Sequence, residues 1–134
     1  MGFLAGVIMK YFLERVKNNI KWWFQKKSRG YSALELWNLD NTIAKWIVPR
    51  LKAFRDTTQG YPANLESFEQ WRKMLDEMIF GFEFTFISDE WYRDNVFQCS
   101  GDMHDKKMNE FESMVKRAEN GRILFAKHFD GIWW

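Results

Sequence analysis

Apolar residues recur every three to four positions along most of the chain, the spacing of helices that bury one face. Leu36, Leu39, Ile43, Ile47, Leu51 and Phe54 form one such stripe. Ser32 and Glu35 fit a capping box ahead of it. The hydroxyl accepts from an orphaned backbone N–H of the first turn, and the carboxylate reaches back to the cap's own N–H. After a turn at Gly60-Tyr61-Pro62, Asn64 or Ser67 caps a second helix. Leu65, Phe68, Trp71, Leu75, Met78, Ile79, Phe82 and Phe86 share its buried side. The short connection predicts an antiparallel hairpin over 32–86. Pro49 removes the N–H bond to the Lys45 carbonyl and predicts a kink between Trp46 and Pro49.

Ahead of the hairpin, Phe3, Val7, Tyr11, Phe12, Val16, Ile20, Trp23 and Phe24 follow the helical repeat. Met1 to Met9 is apolar, but Lys10 ends that run far short of the ~20 residues of a membrane span. No basic region precedes the run, which argues against a signal peptide, and Gly6 stands where a myristoylation signal needs Ser or Thr. Ser28-Arg29-Gly30 breaks this helix. Beyond Phe86 the stripe fades: Ser88-Asp89-Glu90 suits a short turn carrying Trp91 and Tyr92, and residues 99–102 read as a loop. A last helix, about 105–129, places Met108, Phe111, Val115, Ala118, Phe125 and Phe129 on one face. Gly121 interrupts it at a cost of roughly 1 kcal/mol against Ala, which predicts a bend or a close helix contact. Ile132-Trp133-Trp134 is an apolar tail that should dock. The expected fold is all-α: one domain over 1–134, a bundle of about four helices. Its parts are a basic amphipathic helix (1–29), the hairpin (32–86) and a C-terminal helix with aromatic tail (105–134).

A chain of 134 residues supports one real core. Eight tryptophans exceed what that core absorbs, because each indole N–H needs a partner, so some rings should lie at a groove, an interface or a membrane surface. The single Cys99 excludes an intramolecular disulfide and a cysteine-based zinc site, and fits a reducing compartment. The net charge of +2 hides an asymmetry. Residues 1–30 hold seven basic side chains against Glu14 alone, a net +6; the remainder holds 13 basic and 17 acidic, a net −4. A basic arm of this kind meets phosphate, a membrane surface or the body of a second subunit. Residues 1–27 therefore carry the membrane-surface reading, set against plain packing on the bundle.

Catalytic motifs are thin. His104, beside Asp102 and Asp105, reads as a solvated loop histidine, and no cofactor or metal is expected. The enzyme alternative rests on Glu66, Glu69, Asp76 and Glu77, carboxylates spaced as in helical, magnesium-dependent nucleotide pyrophosphohydrolases. With Phe68, Trp71 and Leu75 facing inward, these carboxylates face outward, Asp76 alone nearing the seam. Asp40 reads either as a buried group paired with Lys45 or Arg29, or as a helix-start carboxylate. Basic and aromatic residues also interleave: Arg29, Tyr31, Trp37, Asp40, Lys45, Arg50 and Tyr61 form a candidate site for a nucleotide-like ligand. Arginine forks onto phosphate while a ring stacks a base. A pI near 8.7 and the lack of a helix-turn-helix argue against double-stranded DNA.

The run RGYS…LWNLDNTIAKWIVPRLKAF…GYP…FEQWRKMLDEMIFGFEF, with GRILFAKHFDGIWW near the end, resembles a family of small bacteriophage proteins. The likeness covers about residues 23–134 and rests on Gly30-Tyr31-Ser32, Trp37 with Asp40, Pro49-Arg50-Leu51, Gly60-Tyr61-Pro62, and Trp71 with Leu75-Asp76. It implies origin and transfers no activity. A small phage accessory protein in the host cytoplasm is expected to act by binding, as an oligomer. Three roles follow: sequestering a nucleotide-type immune signal, blocking a host protein, or serving as a membrane-associated structural component.

Overall fold

The computed structural model describes residues 2–133, and their ordered elements are helical throughout. Among the described residues five α-helices occur: α1 (Gly2–Arg29), α2 (Ala33–Trp37), α3 (Leu39–Thr57), α4 (Phe68–Tyr92) and α5 (Gly101–Lys127). A π-helical turn (Arg93–Phe97) joins α4 to α5, and a 3₁₀ turn (Phe129–Gly131) follows α5. The all-α expectation holds, with four of the five helices long. The chain divides into two units, Met1–Thr42 and Ile43–Trp134, and the division falls within the first turn of α3.

In the first unit Gly30 ends α1 by taking a φ of 84°, a conformation glycine adopts without a Cβ penalty, and its N–H donates to the Lys26 carbonyl at 3.0 Å. Ser32 then caps α2: its N–H donates to the Glu35 carboxylate, as the capping box requires. That bond, more than Lys26 nearby, holds the Glu35 carboxyl below its ordinary value. The Ala33 N–H donates to Gln25 Oε1 at 2.8 Å, which ties α2 to the end of α1. The helix expected to carry the Leu36–Phe54 stripe stops at Asn38, whose φ of −126° and ψ of 69° are not helical. Asparagine leaves the helix readily because its side chain competes for backbone groups. Thr42 seals the break, its N–H donating to the Asn38 carbonyl and its Oγ1 to the Glu35 carbonyl, both at 3.0 Å.

The core belongs to the second unit. Val48 and Leu51 of α3 pack with Trp71, Leu75, Met78 and Ile79 of α4, flanked by Ile47, Phe54, Leu65, Phe82 and Phe86. The pairing runs antiparallel: Lys52 meets Glu83, and three residues on Arg55 meets Asp76 at 2.7 Å. Ser67 is the cap of α4, its Oγ accepting from the Gln70 N–H at 3.1 Å; Asn64 is not used. The inward face of α4 is the one the spacing predicts, with Gly81 and Phe84 also buried. The first part of the α3 stripe is different. Leu36, Leu39 and Ile43 are about half exposed, and the buried line is Ala44, Val48 and Leu51.

Gly81 and Gly121 let α4 and α5 touch backbone to backbone. A Cβ on Gly121 would stand 2.1 Å from the Glu77 carbonyl oxygen, and one on Gly81 2.7 Å from that of Ala118. The close contact read from Gly121 is therefore present. α4 also runs on to Tyr92, through the residues expected to form a separate turn. Trp91 and Tyr92 pack on Phe111 of α5, with ring centroids 5.9 and 5.1 Å apart, and that tertiary contact outweighs the turn-forming 88–90 sequence. The wider π turn then brings Val96 to full burial. α5 starts at Gly101, four residues before the expected start. Of the C-terminal tail, Ile132 packs against the core and Trp133 stays 76% exposed; Trp134 lies outside the described residues.

The Arg117 guanidinium grips the Glu77 carboxylate at 2.9 and 2.8 Å and holds its carboxyl below the ordinary value of 4.5. Such a pair stabilises the fold above that pH and loses its effect as pH falls through the lowered value. Because both side chains are more than a third exposed, Arg117→Ala should cost only about 0.5–1 kcal/mol at pH 7. Urea titrations at pH 7 and pH 3 should show that difference shrinking in acid.

Candidate functional site

α1 is 28 residues long, about 42 Å at 1.5 Å per residue, and none of its residues is buried. Eleven of its large apolar side chains are exposed, from Phe3 at 84% and Leu4 at 68% through Phe12 and Leu13 to Trp23 and Phe24. Scattered apolar residues on a surface mean little, but a continuous stripe of them marks a contact face. Each would contribute about 1.5–3 kcal/mol on full burial, so a surface covering even part of the stripe would hold the helix firmly. Chain periodicity explains the geometry. Met9, Leu13, Val16, Ile20 and Trp23 repeat at alternating four- and three-residue steps and so share one side. Lys10, Lys17 and Lys21 border that stripe on one flank, Arg15 and Lys26 on the other, while Glu14 and Asn18 point away from it. From Gly2 to Met9 no side is charged at all.

The exposed aromatics extend beyond α1. Of the seven tryptophans described, Trp71 is buried, whereas Trp23, Trp37, Trp46 and Trp133 are more than half exposed. The surplus expected from composition is therefore real.

Of the seven residues singled out for a nucleotide-like ligand, four belong to the first unit and three to the second. In the first unit the Arg29 guanidinium lies 4.5 Å from the centre of the Tyr31 ring and donates to the Tyr31 carbonyl, both side chains exposed. Trp37, at the end of α2, is 85% exposed. Asp40 is exposed in the first turn of α3, which settles it as a helix-start carboxylate and not a buried pair. In the second unit Lys45 and Arg50 lie exposed on α3, on different sides of it. Arg50 stacks on Trp46 at 4.1 Å and donates to the Trp46 carbonyl at 2.7 Å, next along the chain from the Lys45 carbonyl that Pro49 leaves without its N–H. Tyr61 lines a mostly apolar cavity of about 700 Å³ with Thr57, Gln59, Pro62 and Trp133. So the structure joins Arg29 to Tyr31 and Arg50 to its own helix, while Tyr61 has different neighbours.

The carboxylates of the enzyme alternative are also dispersed. Asp76 pairs with Arg55, Glu77 with Arg117, and Glu69 with Lys73 at 3.4 Å; Glu66 is exposed. Among the described residues no three His, Cys, Asp or Glu side chains come together as a metal site. His104 lies 3.5 Å from Asp105. Among the described residues no helix is long and apolar enough to cross a membrane. The α1 face was legible as an amphipathic pattern; the exposure of its apolar side chains was not. No family model, curated protein or solved structure matches the chain.

Proposed function

We propose that this chain is a small accessory protein that acts by docking, with α1 as the docking element and the helical unit beyond it as the body it delivers. The observation that carries this reading is the exposed apolar stripe of α1, 28 residues without one buried side chain. An amphipathic helix gains most of its stability from whatever covers its apolar face. The bacteriophage likeness over residues 23–134 supports an accessory role, one in which a host component is bound or blocked. A nucleotide-sequestering role has less support, since the Arg50 guanidinium is already engaged by the Trp46 ring and carbonyl.

The test is light scattering of the full chain with and without a non-ionic detergent. The docking reading predicts either self-association relieved by detergent or direct uptake of detergent. Leu13→Asp with Ile20→Asp should abolish both while leaving near-UV circular dichroism unchanged. A wild-type chain that is monomeric and takes up no detergent overturns the proposal.

A further inference from the structure

We infer that the surface covered by α1 is an anionic lipid bilayer, against which the helix lies obliquely with residues 2–9 deepest. This rests on the docking reading above and names its partner. Three observations favour lipid over a second copy of α1. The first is charge: α1 carries seven basic side chains and one acidic, a net +6. Pairing two such helices along the Met9–Trp23 stripe would set +6 against +6, whereas anionic headgroups neutralise it.

The second observation is where the charges stand. Lys10, Lys17 and Lys21 on one flank and Arg15 and Lys26 on the other border the apolar stripe, so their aliphatic stems can follow it down while the cations stay at headgroup level. Trp22 and Trp23 sit among Lys21, Lys26 and Lys27, at the end of α1 where indoles prefer an interface.

The third is the breadth of the apolar surface. Phe3, Leu4, Ile8 and Tyr11 are exposed outside the stripe, and Gly2 to Met9 has no charged side. A two-helix seam would leave those side chains in water. Eight residues rise about 12 Å, less than the ~15 Å of one leaflet's hydrocarbon. A helix tilted with this segment down covers them without crossing, as the spacing of Lys10 behind it requires.

The experiment is flotation of the full-length protein with vesicles of pure phosphatidylcholine and with vesicles holding 30% phosphatidylserine. Binding should be strong to the anionic vesicles, weak to the neutral ones, and should fall as salt rises. Each lysine near such a surface is worth about fivefold in affinity, so Lys17→Gln with Lys21→Gln should weaken binding about thirtyfold. Leu13→Asp with Ile20→Asp should abolish it. Equal binding to both vesicle types, or wild-type binding by the Lys17→Gln, Lys21→Gln variant, overturns the anionic-lipid assignment. No flotation from a chain that still self-associates through α1 overturns the lipid partner while the docking reading stands. No flotation from a chain that neither self-associates nor takes up detergent removes both.

Discussion

Gly121→Ala should destabilise the second unit by about 3 kcal/mol or more, although alanine is the better helix former by ~1 kcal/mol. The added Cβ would stand 2.1 Å from the Glu77 carbonyl oxygen and 2.9 Å from its carbon, with the Gly81 Cα at 3.3 Å. All three are backbone atoms, so no side-chain rotation relieves the clash and α5 must move off α4. Movement there disturbs Arg122, which donates to the Gly81 carbonyl at 2.8 Å, and the Phe82–Phe125 edge contact at 5.0 Å. Gly6→Ala is the control, because nothing lies within 4 Å of that position. It should raise the helix content of α1 at no packing cost. Urea unfolding followed by far-UV circular dichroism checks both, and a Gly121→Ala protein more stable than wild type would mean the helices do not touch there.

Trp71→Ala should cost about 3–5 kcal/mol, a large part of the 5–15 kcal/mol typical of a folded domain. Trp71 is 1% exposed and packs within the α3–α4 cluster beside Val48, Leu51 and Leu75, with His128 edge-on at 6.1 Å. Its loss opens a cavity where α3, α4 and the end of α5 meet. The variant should therefore unfold at lower urea, with its near-UV tryptophan signal weakened. Trp37→Ala, at a ring that is 85% exposed, should leave stability within about 0.5 kcal/mol of wild type. Equal effects from the two substitutions would contradict the division between core and surface tryptophans.

Where the sequence was informative, a local rule and the tertiary fold agree. Ser32 with Glu35, the stop at Gly30 and the Trp71–Phe86 face were legible because each depends on neighbours within a turn or two, and the cap of α4 was narrowed to Asn64 or Ser67. The break at Asn38 was not, because an intact apolar stripe runs across it and asparagine only permits the break that Thr42 then stabilises. The extension of α4 to Tyr92 and the π turn after it depend on Phe111, about twenty residues away, and no local pattern announces that contact. The candidate site divides in the same way. The amphipathic, basic character of α1 was plain from spacing and charge. That none of its side chains is buried is not something a local pattern announces. Arg50 and Trp46 stand one helical turn apart, so their stacking was available in that i,i+4 spacing.

The most direct measurement of the central claim is amide hydrogen exchange on the full chain, alone and with vesicles containing 30% phosphatidylserine. The account predicts new protection over residues 3–24, with the amides of α3, α4 and α5 exchanging as they do without lipid. Protection that appears in α4 and α5 and leaves 3–24 unchanged would contradict α1 as the docking element.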